Sequence, residues 1–169
     1  MLNLNDITKI VFGLVSLFLV LILTLFTVTH AGLVPANPTD YNEKALDFTD
    51  CNDRTKAELD VRVADSQLKK YTGLSNTESL DDDSGMLFKY RSDASKTIVM
   101  RNMDIPIDII FVGESGTVEA IESLDEPENV IEYYFTYDST SGSGKYIIEA
   151  NKDWTGNNDI QVGDCVKNL

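Results

Sequence analysis

The stretch Ile107-Asp108-Ile109-Ile110-Phe111-Val112, then Gly113-Glu114-Ser115-Gly116, then Thr117 to Glu122 decides the fold. Six residues with only one polar side chain are too short for a typical helix and rich in β-branched types, so they predict a strand buried on both faces. The two glycines and two polar residues after it are turn chemistry, and Thr117 to Glu122 reads as the antiparallel partner of a β-hairpin. Working outward, Leu59, Val61 and Val63 alternate with Asp60 and Arg62 as a half-buried strand. Asp65 or Ser66 is placed to cap a short helix that runs to Lys70 or Tyr71 and ends at Gly73. Met86 to Phe88 and Thr97 to Met100 predict two further strands. Ile131, Tyr133, Phe135 and Tyr137 share one strand face, 138–144 is a flexible polar connection, 145–150 resumes as a strand, and 160–166 closes the domain with an interruption at Gly163. The expected fold class is therefore α+β and β-rich. It is a single compact, curled or barrel-like, antiparallel-dominated sheet with one short helix, preceded by one transmembrane helix.

The transmembrane expectation rests on 10–28, IVFGLVSLFLVLILTLFTV, which carries no charge. At about 1.5 Å per residue this run matches a hydrocarbon layer of ~30 Å. The rival is a cleaved signal peptide, whose apolar region is usually shorter. The organisation that follows is a short cytoplasmic tail (1–9), an anchor (10–28), a linker (29–50) marked by Pro35 and Pro38, and an extracytoplasmic domain (51–169). Lys9 on the short side orients the amino terminus inward by the positive-inside rule. The protein is then a single-pass cell-membrane protein with its C-terminal domain outside.

The chain of 169 residues holds 28 acids against 14 bases, a formal net charge of −14. Such a balance argues against nucleic acid as a partner. One His and two Cys are too few for a metal centre of that type, and no cofactor fingerprint is present. Asp81-Asp82-Asp83 lacks the alternating spacing of a calcium loop and reads as solvated. The acidic surface keeps a domain soluble and also suits a salt-rich, haloarchaeal type of environment. Cys51 opens the domain and Cys165 nearly closes it. In an exported domain they are candidates for a disulfide. The lone His30 lies outside the domain, so neither thiol has a histidine to activate it.

Several short strings occur in order: Tyr71-Thr72-Gly73-Leu74, Gly85-Met86-Leu87-Phe88, Met100-Arg101-Asn102-Met103, Ile105 to Val112, Ile147-Ile148-Glu149-Ala150 and Gly163-Asp164-Cys165-Val166. Together they resemble the domain of unknown function 192 family over Leu59 to Val166. Ser75, Arg101 and Met103 depart from its pattern, and Glu126 to Tyr134 replaces its proline- and cysteine-rich segment. The resemblance implies a compact mixed β-rich fold, often exported, and no established activity. Asp108 and Glu149 are carboxylates placed in apolar strands, where each needs hydrogen bonds or a cation. Arg101 and Asn102 are the nearest such groups in sequence to Asp108. One reading is a structural bond that locks the turn. The other is a ligand pocket built from Met100, Asn102, Asp108 and Glu149. Trp154 and the Tyr133–Tyr137 face read as packing, and Gly163-Asp164 as a turn. The function expected is a non-catalytic module that binds a small ligand or an envelope partner. The alternative is a hydrolase using Asp108 and Glu149 as paired carboxylates.

Overall fold

The computed structural model describes residues 3–30 and 40–169. Two compact units divide between Pro38 and Thr39. The first contains helix α1 (Leu4–His30), and large apolar side chains from Ile10 to Leu23 along it are exposed. Among the described residues no helix is long and apolar enough to cross a membrane. The transmembrane helix expected over 10–28 is therefore not part of the observed architecture.

The second unit is one seven-stranded sheet. Its strands are β1 (Asn42–Thr49), β2 (Thr55–Ala64), β3 (Ser84–Val99), β4 (Ile107–Val112), β5 (Val118–Leu124), β6 (Ser139–Asn151) and β7 (Cys165–Lys167), in the spatial order β5-β4-β6-β3-β2-β1-β7. Helices α2 (Gln67–Thr72) and α3 (Trp154–Asn157) and a π-helical turn (Glu132–Thr136) complete it. The sheet is mixed: β2 and β3 run parallel and the other pairs antiparallel. A parallel pair needs a crossover connection, and the segment carrying α2 supplies it. Ser66 accepts from the Lys69 N–H at the start of α2, and Gly73 ends it with φ +51°. The barrel expectation is corrected here. The outer strands touch at one end only, through the Thr117–Cys165 bridge and the bonds Val118 N–H to Asp164 O and Val166 N–H to Gly116 O. No β5–β7 ladder forms, so the sheet stays open.

Two cores lie on the two faces. One draws Phe48, Leu59, Leu87, Ile110, Ile148 and Val166 from successive strands, with Trp154 packed edge-on to Phe48 at 5.0 Å. The other gathers Met86, Met100, Ile107, Ile109, Phe111 and Ile147. Every residue of β4 is consequently buried, each large apolar side chain contributing about 1.5–3 kcal/mol of transfer energy.

Three local expectations change. Residues 42–49, assigned to the linker, form β1, where alternating Leu46 and Phe48 reach the first core. Of the polar segment 138–144, residues 139–144 are the first half of β6 and pair with Ala94–Val99, so the two strands expected over 86–88 and 97–100 belong to one continuous β3 that ends at Val99. Residues 132–136 are helical, not extended. Asn129 Oδ1 accepts from the Ile131 and Glu132 N–H groups and starts the turn. Tyr137, just past the turn, packs against the second core, while Phe135 is 78% exposed.

The glycines of 138–144 are steric, not flexible, elements. A Cβ at Gly142 would lie 2.6 Å from Cγ of the fully buried Phe111. Overpacking of this kind costs about 1–3 kcal/mol. Gly142→Ala is expected to lower the denaturation midpoint by that amount, while Ser143→Ala, at an exposed position of the same strand, stays within about 0.5 kcal/mol of the native protein. Equal midpoints for the two variants would contradict the packing of Phe111 against Gly142.

Candidate functional site

The β4–β6 register fixes where the two buried carboxyl groups point. Asp108 is opposite Ala150, and Ile109 is opposite Glu149. Adjacent strand positions face opposite sides. Asp108 accordingly lies on the face of Ile110 and Ala150, and Glu149 on the face of Ile109, Ile147 and Met86. One cleft cannot hold both, and the pairing that a two-carboxylate hydrolase requires is absent.

Asp108 is fully engaged. It accepts from Ser123 Oγ at 2.6 Å, from Thr155 Oγ1 at 2.6 Å and from the Thr155 N–H at 2.9 Å. Asp153, the residue before α3, makes no side-chain cap, so Asp108 satisfies the first turn of α3 from across the fold. Arg101 and Asn102 play no part in this. The Arg101 guanidinium donates to Tyr71 O at 2.9 Å and lies over the Tyr71 ring. Asn102 takes a positive φ of 55° and joins the turn through its backbone, donating to Tyr133 O and accepting from the Asn76 N–H. Met100 is completely buried in the second core.

Glu149 differs. It is 5% exposed, and burial alone pushes its carboxyl from an ordinary value near 4.5 up to about 8. Among the described residues no side-chain hydrogen bond or ion pair offsets that desolvation. The carboxyl borders a cavity of about 110 Å³, walled by Leu74, Phe88, Ile98 and Met103, with Tyr90 and Arg101 also on its rim. The Tyr90 phenol is raised by its own burial and then by the charge of Glu149. Arg101 Nε is buried there with no partner. A neutral carboxyl is a hydrogen-bond donor, so this pocket can receive an acceptor oxygen.

Of the sequence candidates, then, Glu149 alone lines this cavity. Phe88 and Tyr90 were not among them. Both share the Met86 face of β3 by strand alternation, and that face is brought to Glu149 by the Met86–Glu149 register. Cys51 and Cys165 are joined by a disulfide, with Cα atoms 5.0 Å apart. It ties the β1–β2 turn to β7 and closes a loop worth roughly 4–5 kcal/mol in the chain-entropy model. Near it Lys56 Nζ pairs with Asp164 at 2.7 Å, both largely buried, and Asp164 also accepts from the Gln161 N–H. Gly163-Asp164 is thus a pinned turn. Asp83 of the acidic run receives the Trp154 indole N–H at 3.0 Å. Among the described residues no group of three or more His, Cys, Asp or Glu side chains could hold a metal ion.

The fold and its polar pocket define a small α+β domain on one open mixed sheet. The chain belongs to the DUF192 family (Uncharacterized ACR, COG1430), whose family model matches residues 49–168. Its structure is similar to that of a Sinorhizobium meliloti 1021 protein provisionally described as a transcription regulator. That match has 20% identity, covers 77% of this chain and 96% of the other, and gives a TM-score of 0.66; it shows the fold alone. The chain is also similar to a protein of unknown function from Novosphingobium aromaticivorans DSM 12444, with 25% identity, coverage of 78% and 89%, and a TM-score of 0.62. No curated protein matches.

The raised Glu149 carboxyl has a thermodynamic signature. The folded protein keeps the proton in a range where the unfolded chain has released it, so this group's contribution to stability declines as pH rises from about 4.5 to about 8. Glu149→Gln keeps the shape and removes the titration. Relative to the native protein, the variant is expected to gain a few kcal/mol across that window. Denaturant midpoints of the two proteins as a function of pH provide the check, and parallel curves would contradict burial of an unpaired carboxyl.

Proposed function

We propose that this domain binds a small ligand, with the cavity beside Glu149 as its recognition site. One observation carries this: a buried carboxyl with no internal partner borders a cavity that also holds an unpartnered guanidinium N–H. Buried polar groups are ordinarily satisfied within the fold, as Asp108 is. At neutral pH Glu149 donates to an acceptor oxygen of the ligand. Arg101 Nε supplies a second donor, and Phe88, Ile98 and Met103 contact its apolar part. The volume suits a group of a few heavy atoms.

Acetate, acetamide and acetone are suitable probes, each with an acceptor oxygen on a small apolar body. With the methionine methyl groups labelled for NMR, titration is expected to give saturable shifts at Met103 that Glu149→Leu abolishes. An absence of saturable shifts at Met103 with all three probes would overturn the assignment.

We also propose that the domain works outside the reducing cytoplasm. A Cys51–Cys165 bridge supports this, because such bridges persist in oxidising compartments. Alkylation of thiols in intact cells before lysis is expected to leave both cysteines unmodified. Modification of both without added reductant would contradict the placement.

A further inference from the structure

A second cavity, of about 550 Å³, adjoins the Glu149 pocket and shares Lys70 and Tyr90 with it. Lys70, Lys89, Arg91 and Lys96 line it, with Asp65 as its one acid. Such a concentration is unexpected in a chain with 28 acids and 14 bases. Among the described residues none of these four cations is in an ion pair. Every ion pair among the described residues uses another lysine, and Asp65 itself pairs with Lys69. Lys70 Nζ lies 4.6 Å and Lys96 Nζ 4.8 Å from the centre of the Tyr90 ring, so one aromatic ring holds two ammonium groups in place. The backbone is shaped for this. Between Lys89 and Ala94 the β3 strand gains residues relative to β6, where Tyr146 and Gly144 are the matching partners. The resulting bulge carries Tyr90 and Arg91. Bulges re-aim side chains in this way and recur beside binding sites. Like-charge crowding shows in the titration as well. Lys70 is lowered first by burial; Asp65 then opposes this, and Arg91 and Lys96 lower it further by smaller amounts, while Lys44 is lowered first by burial and then by Lys89.

We propose that this groove is an anion subsite that takes a phosphate-class oxyanion, a phosphate monoester or a pyrophosphate group. Four cations that repel one another are relieved by a compact group bearing two or more negative charges and several acceptor oxygens. Arg91 offers a planar fork suited to two oxygens of one phosphate, and the lysines act as point charges. The proposal deepens the ligand reading of the Glu149 cavity, because a ligand spanning both would place its oxyanion among the cations and its smaller polar end at Glu149.

The test is calorimetric titration of the full-length protein with inorganic pyrophosphate at low ionic strength, with citrate as a carboxylate comparison at matched ionic strength. Saturable one-to-one binding of pyrophosphate is expected. Arg91→Gln and Lys96→Gln are each expected to weaken it about tenfold, the loss of one charge-assisted contact, with unchanged melting temperature in the absence of ligand. Glu149→Gln is expected to bind pyrophosphate within about threefold of the native protein, about 0.7 kcal/mol, so failure at the Glu149 pocket stays distinguishable from failure at the groove. No saturable binding, or binding indifferent to Arg91→Gln and Lys96→Gln, overturns the subsite. Citrate binding as tight as pyrophosphate overturns the phosphate class. Loss of binding in Glu149→Gln alone moves the anion out of the groove and overturns the assignment.

Discussion

Ile109 of β4 faces Glu149 of β6 across an antiparallel ladder, and Asp108 faces Ala150 one step along. Most of what is distinctive here depends on that register. The strands β3, β4 and β6 sit in the middle of the order and carry apolar side chains on both faces. Slippage by one residue would exchange the faces of Asp108 and Glu149 and strand each among the wrong neighbours. The ladder is held from several sides. Phe111 packs against Gly142, and the Asp108 carboxylate grips Ser123 of β5 and Thr155 of α3.

The two carboxyl groups show how one chemistry acquires two roles from two environments. Asp108 accepts three hydrogen bonds and serves as a structural clasp. Removing it would leave the Thr155 N–H and hydroxyl buried and unpaired, at a cost of about 1–3 kcal/mol for each such group. Glu149 receives none, so its burial is carried as a raised pKa. The fold tolerates that unfavourable term because the surrounding core is large. The basic groove beside it has a similar character. Lys70, Lys89, Arg91 and Lys96 repel one another, and the one acid lining their groove, Asp65, is paired with Lys69. The two features meet at Tyr90, whose ring supports two lysines and whose phenol lies within the field of Glu149.

Local patterns in the chain sufficed for the β4–β5 hairpin, because two apolar runs flank a turn with the required glycines. They also sufficed for α2, where Ser66 and Gly73 mark both ends, and the ordered strings marked the family. They misled at 131–137. Four alternating apolar side chains are the mark of a strand only if another strand lies beside them, and here none does. They misled again at 138–144, where Ser and Gly look like a loop but fill a strand position under an aromatic ring. In β1, Leu46 and Phe48 alternate, yet the signal is brief and follows a proline-marked segment.

Composition and local patterning by themselves determined that the chain is acidic, that its middle is a buried strand with a hairpin partner, and that two carboxyl groups lie in apolar surroundings. Strand pairing decided the rest. It put Asp108 and Glu149 on opposite faces, supplied Ser123 and Thr155 where Arg101 and Asn102 were the nearest in sequence, and assembled four cations from α2 and β3 around Tyr90. Those outcomes depend on which residues meet across ladders between strands distant in sequence, and the energy of a buried charge is set by such neighbours and not by the residues beside it in the chain.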